Sequence, residues 1–217
     1  MSLEKSLKGD DTIILRPLAL TDAPNIVEAI NESLIELRRF MSWAHFPQTV
    51  ESQLARIVTA KYDYWSGKEY VLGIFGNTTN RLLGSTGLHR RTLNTHGLEI
   101  GYLMRSSMAG EGRATAVTRS LIVYGFEYLG LKRVQCGYNS SNEASSRVND
   151  KCGFKIEGTF RNFESMPTEE MVLNGWQGDS KTVLRGLCPE DIPNLGWYRG
   201  LQSRLAVYDW LGQKAET

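Results

Sequence analysis

Among the 217 residues of this chain, one short stretch has the makings of an anion site. Ser107-Met-Ala-Gly110-Glu-Gly112-Arg113-Ala114 lies between the end of one apolar run and the start of another. Glycines there present free backbone N–H groups at the positive end of a helix dipole, the chemistry that holds a pyrophosphate. A Gly-x-Gly before a helix is also an ordinary tight turn, and no following pattern turns this one into a dinucleotide fingerprint. His89 and His96, at the ends of β-like runs, are of the type that accepts a proton at neutral pH, or they are hydrogen-bonded surface residues. Trp43, His45 and Phe46 crowd a short break closed by Pro47, a loop with something to contact. No His, Cys or carboxylate group has metal-ligand spacing, so no metal is expected.

Something must position these residues, and the composition permits one domain. A chain of this length buries roughly 70% of its unfolded surface on folding. Hydrophobic content of 41%, charged content of 23% and a net charge of +1 imply no general attraction to nucleic acid or membrane. Cys136, Cys152 and Cys188 are widely spaced and odd in number, which fits buried thiols in a reducing compartment. The polar residues 1–11 lack a signal-peptide core, and no apolar run reaches the ~18 residues of a membrane span. The expectation is a cytoplasmic protein.

The elements follow from periodicity. Thr12–Pro17 reads as a strand, and Thr21-Asp-Ala-Pro24 opens a helix continuing from Ile26 to Phe40. A second helix spans Thr49–Trp65. Strands are expected at Tyr70–Phe75, Arg81–His89 and Leu98–Arg105, separated by turn-rich segments of hairpin length. The glycine stretch then leads into a helix stopped by Gly130, followed by a strand Lys132–Tyr138, a helix from Asn142 to Cys152 and a strand Phe154–Phe163. Residues 164–176 read as a loop, Ser180–Leu187 as a last strand, and 188–217 as a helical extension packing on the domain or on a partner. An antiparallel meander followed by β-α-β crossovers predicts an α+β fold, a mixed sheet flanked by helices in three layers (α/β/α). The first strand has no glycine loop, which argues against a Rossmann domain.

Residues 97–164 resemble the GNAT superfamily and its RimJ/RimL branch. Glu99-Ile-Gly-Tyr102-Leu matches the strand before the cofactor loop, Gly110-x-Gly112-x-Ala114-Thr115 the loop itself, and Asn142-x-x-Ser145-x-x-Val148 with Gly153-Phe154-x-x-Glu157-Gly158 the last helix and strand. Arg16-Pro17-Leu18 and Asn174-Gly175-x-x-x-Asp179 extend the resemblance to about residues 12–187, the expected acetyltransferase domain. It implies a mostly antiparallel sheet with two central strands splayed apart, the pantetheine arm of acetyl-CoA lying between Leu103, Met104 and Arg105 on one side and the strand from Val134 on the other. The pyrophosphate would meet Ala109, Gly110, Glu111, Gly112, Arg113, Ala114 and Thr115, and Asn142 would contact pantetheine or cap its helix.

The implied reaction is direct transfer of acetyl from acetyl-CoA, as co-substrate, to a primary amine of a small molecule or a protein N-terminus, by a monomer or homodimer. It needs a neutral amine, a stabilised oxyanion and a partner for the departing thiolate. The resemblance assigns Ser145 to the thiolate and Glu164 to the amine proton, with Glu99 the competing base; Ser145 is otherwise a first-turn helix residue and Glu164 a solvated charge. Trp43, His45, Phe46 and His89 would line the acceptor side, or anchor their loop and strand. The longer loop with Glu169 and Glu170 suits a cationic acceptor or is simply solvated. Ala109 and Glu111 depart from the family pattern, which usually has Gln or Arg and Lys there; Arg105 and Arg113 would offset the added negative charge, or lie exposed. A regulatory or inactive module that binds acyl-CoA is the alternative.

Overall fold

In a computed structural model, which describes residues 2–3, 13–90 and 97–207, the seven main strands form one mixed sheet. In chain order they are β1 (Ile13–Pro17), β2 (Tyr70–Gly76), β3 (Leu82–His89), β4 (Gly97–Met104), β5 (Arg133–Asn139), β6 (Lys155–Arg161) and β7 (Lys181–Leu187). Their spatial order is β6-β7-β5-β4-β3-β2-β1, and beyond β1 the two-residue strands Ser2–Leu3 and Leu205–Ala206 extend the edge. Every pairing is antiparallel except β4 with β5. The expected mixed, mostly antiparallel sheet is therefore the observed one.

Alternation along the strands sorts side chains to two faces. Leu98 and Ile100 of β4 join Leu88, Val134 and Leu187 in a core against α4 (Arg113–Val123), which buries Val117, Leu121 and Ile122 there. On the other face α1 (Ala23–Glu32) and α3 (Val50–Trp65) pack Ile26, Ile30 and Ile57 against Phe75 and Leu82, with Leu103 beside them. A π turn, Tyr124–Tyr128, ends the α4 segment before Gly130. From residue 188 onward, Leu195, Tyr198, Leu201 and Leu205 are buried in the α4-side core, and the Tyr198 hydroxyl donates to Glu127 at 2.7 Å.

Three elements differ from expectation. The helix read as continuous from Ile26 to Phe40 breaks at Ser33 into α1 and α2 (Leu34–Arg38), because Ser33 leaves helical geometry and its Oγ accepts the Ser106 N–H at 2.9 Å. Residues 164–176, read as loop, contain a short helix α6 (Glu169–Leu173) capped by Thr168, whose hydroxyl accepts the Met171 N–H at 3.2 Å. The described part of the tail, residues 188–207, is only partly helical: a 3₁₀ segment, Pro189–Asn194, and α7 (Tyr198–Gln202) precede the edge strand. His96 and residues 208–217 lie outside the described residues. No described helix is long and apolar enough to cross a membrane.

Candidate active site

The parallel pairing of β4 and β5 lasts for three residues, Gly97, Leu98 and Glu99 against Arg133, Val134 and Gln135. Past Glu99 the two strands part. The side of β4 that turns toward β5 then carries backbone groups with no strand partner among the described residues, as does the facing side of β5, and the opening can take an extended ligand as an added strand. At the exit of β4 a single turn, Ser106–Met108, leads to Gly110 (φ 85°) and Gly112 (φ 79°), both in the left-handed region that favours glycine. Gly112 is the N-cap of α4 and no side chain caps the helix. A Cβ built at either glycine meets nothing within 4 Å, so the loop is open outward and its N–H groups fit an incoming phosphate.

The side chains of this loop are arranged differently from the sequence expectation. Arg113 pairs with Glu111 at 2.7 Å, so the negative charge of Glu111 is offset within the loop. Arg105 takes no part. Only 1% exposed, its guanidinium donates to Leu82 O, Glu28 and Glu32, and its N–H to Leu83 O. The expectation that Arg105 balances Glu111 is corrected by this burial: β4 ends by turning the side chain inward, under α1. Ala109, Gly110 and Glu111 are exposed, Arg113 and Ala114 half-buried, and Thr115 buried in the first turn of α4.

Glu32, at the end of α1, accepts from the Ser107 hydroxyl and from Arg105, and these hold its carboxyl down at about 2, against an ordinary 4.5. A carboxylate with a depressed folded-state pKa stabilises the protein above its unfolded value, and that contribution is lost as pH falls from about 4.5 toward 2. Arg105→Leu is expected to lower stability at neutral pH by about 1–3 kcal/mol, leaving the Leu82 carbonyl unpaired. It should also flatten the loss over that acid window, which urea melts at stepped pH will show.

Ser145 lies in the first turn of α5 (Glu143–Cys152), where the Asn142 side chain accepts its N–H at 3.1 Å; Asn142 is thus a helix cap, as expected of the residue type. Its Oγ is 3.3 Å from the Tyr102 hydroxyl, and its carbonyl accepts from buried Asn149 at 2.9 Å. Glu99 occupies the point where the strands part, with Gln135 Nε2 donating to it at 3.2 Å. His89 stands opposite Glu99 in the β3–β4 register, and its Nδ1 meets Glu69 at 3.1 Å. Its ring lies over Gly87 and Gly101, where a Cβ would come within 2.9 Å and 3.3 Å of it.

Glu164 is exposed and lines a pocket with Asn139, Met166, Trp176, Asp179 and Thr182, off the end of β5. The Asn139 amide fixes that corner by donating to Asp179 O at 2.8 Å and accepting its N–H at 3.0 Å. The Ser140 hydroxyl holds the Asp179 carboxyl below the usual carboxylate range. His45 Nε2–H donates to Arg38 O (2.9 Å), and its ring sits 6.2 Å from Trp176, while Arg39 Nε donates to Gln177 Oε1 at 2.6 Å. The loop carrying Trp43 and His45 is in this way fastened to the 164–179 segment; Trp43 is half-buried and Phe46 is 61% exposed. The structure joins Ser145 to Tyr102, sets Glu99 opposite His89 in the strand register and puts Glu164 in the pocket off the end of β5. Tyr102, Trp176 and Asn139 escaped the sequence reading as site residues, although Tyr102 lay inside a quoted motif. Among the described residues, no group of three or more His, Cys, Asp or Glu is placed to hold a metal ion.

Residues 12–155 match the family model of the acetyltransferase (GNAT) domain. The probable N-acetyltransferase YjcK of Bacillus subtilis (strain 168) is 34% identical over 189 residues, which cover 85% of this chain and 98% of that protein. The putative ribosomal N-acetyltransferase YdaF of the same organism is 31% identical over 157 residues, 71% of this chain and 84% of that protein. RimJ of Mycobacterium smegmatis, solved in complex with CoA-disulfide, shares the fold, with a TM-score of 0.72 at 20% identity over 84% of each chain.

Proposed function

This chain belongs to the GNAT acetyltransferase family, and from that premise we propose that it moves the acetyl group of acetyl-CoA to a primary amine by direct attack within a ternary complex. The observation that carries this reading is the parting of β4 from β5 after Glu99, directly upstream of an uncapped, glycine-lined helix N-terminus. The gap suits the pantetheine arm and the loop suits the pyrophosphate, with Arg113 able to turn from Glu111 to phosphate.

In the proposed reaction Glu164 takes a proton from the substrate ammonium, directly or through water. The free amine attacks the thioester carbon, a C–N bond forms, and the oxyanion is met by unpaired N–H groups along β4. On collapse the C–S bond breaks and its electron pair goes to sulfur, which the Ser145 hydroxyl meets as a hydrogen-bond donor. The nitrogen sheds its second proton to solvent and sulfur takes one up. Glu99 is the alternative base.

The acceptor proposed is a protein N-terminus or a small-molecule amine. Glu164, Asp179 and the Trp176 ring make a pocket suited to an ammonium group, and the name of YdaF points to a ribosomal acceptor for that relative. The same reading puts the reaction in the cytoplasm, supported by three free thiols. Incubation with acetyl-CoA and a panel of peptides with free N-termini and of polyamines should release CoA and add one acetyl group, read by mass spectrometry. Tight acetyl-CoA binding with no acceptor turned over would instead favour the acyl-CoA-binding module.

A further inference from the structure

We infer that Tyr102 is a positioning residue for the departing thiolate: its hydroxyl donates to Ser145 Oγ and thereby turns the Ser145 O–H into the opening between β4 and β5. The inference rests on the proposed role of Ser145 and adds a residue to it.

Tyr102 is three residues beyond Glu99, the last β4 residue in register with β5. Its side chain lies on the α4 face of the sheet, packed against the core, and reaches across the opening to the first turn of α5. The contact of 3.3 Å joins residues 43 apart in sequence and ties β4 to the first turn of α5, the helix that follows β5.

The hydroxyls at the start of α5 are used unlike those of α4: Ser146 Oγ accepts from Tyr138 and Arg185, and Ser145 Oγ meets Tyr102. Thr118 and Ser120 of α4 return theirs to the carbonyls of Ala114 and Ala116 at 2.8 and 2.7 Å, the usual local outlet. Ser145, at the start of α5, has its N–H tied to Asn142 and its carbonyl to Asn149, and its Oγ meets Tyr102. The serine is therefore held at three points, with one hydrogen to direct.

Two hydroxyls in contact share one hydrogen. Either hydroxyl can give it; a phenol is the more acidic type of the two, and the proposed arrangement has Tyr102 donating and Ser145 accepting. The groups around the phenol are Cys136, Cys152 and Tyr138; burial pushes the two thiols up to about 11 and about 12, so they stay neutral. The same burial pushes the Tyr102 hydroxyl well above its ordinary value, and it keeps its proton throughout the working range. No proton leaves Tyr102 in the reaction. It holds Ser145 Oγ as acceptor while the C–S bond breaks and the Ser145 hydrogen meets the sulfur.

Tyr102→Phe removes one oxygen and keeps the ring in the core. One hydrogen bond's worth of transition-state support predicts a fall in kcat of about tenfold, with KM for acetyl-CoA within about twofold of wild type. The decisive measurement is the double mutant. In a Ser145→Ala background Tyr102→Phe should change kcat no further, because the hydrogen it directs is gone. An equal loss in both backgrounds, an effect on KM alone, or no effect of Tyr102→Phe beside a clear loss in Ser145→Ala would each overturn the inference. Wild-type kcat in Ser145→Ala itself would overturn the serine's proposed role and this inference with it.

Discussion

Glu164→Gln is expected to lower kcat by about a hundredfold or more, the ordinary contribution of a positioned general base. The change keeps the size of the side chain and removes only its basicity. Glu164 is exposed and lies off the end of β5, so the substitution should leave stability and the KM for acetyl-CoA unaltered. The pH profile gives the sharper test. An α-amine loses its proton unaided near pH 8, roughly, so the variant should gain on wild type as pH rises through that region. Full activity in Glu164→Gln would move the role to Glu99, which stands at the parting of the strands beside Gln135, and the same profile measured on Glu99→Gln would then decide.

The second large effect is expected at the cofactor loop. Gly112 has φ 79° and caps α4, and a Cβ there would point into open space. Gly112→Val forces a branched side chain into left-handed geometry at a cost of about 1–2 kcal/mol, and it places that side chain where phosphate must approach. The KM for acetyl-CoA should rise by more than about tenfold, equivalent to at least about 1.4 kcal/mol of binding, with kcat at saturation little changed. Thermal melts with and without acetyl-CoA separate the two costs, since lost ligand stabilisation reports binding alone. An unchanged ligand-induced shift in Gly112→Val would remove the loop from the cofactor site.

Much of the fold was legible because its signals are local. The turn residues Gly76–Asn80 between β2 and β3, the glycines before α4, and the Asn142 cap of α5 are each written within a few residues, and each appears in the structure. What escaped reading depends on partners far along the chain. Ser33 breaks a helix because Ser106, 73 residues on, needs an acceptor. Arg105 looks like a strand-end arginine free for a phosphate, yet Glu28 and Glu32 lie 77 and 73 residues back. The pairing of His45 with Trp176 likewise joins two loops that no local pattern connects. Glu111 and Arg113, only two residues apart, were close enough for their charge balance to be anticipated, and they form an ion pair.

The carboxylate at the end of α1 has a consequence for how the two substrates treat each other. Through Glu32, the end of α1 and the turn that starts the proposed cofactor loop share one set of bonds, to Ser107 and Arg105. A shift of either element strains the other, so an acetyl-CoA that moves the proposed loop is expected to move α1 and, with it, to change the affinity for the proposed amine. Such a coupling is reciprocal: whatever factor acetyl-CoA applies to the amine's dissociation constant, the amine must apply to that of acetyl-CoA.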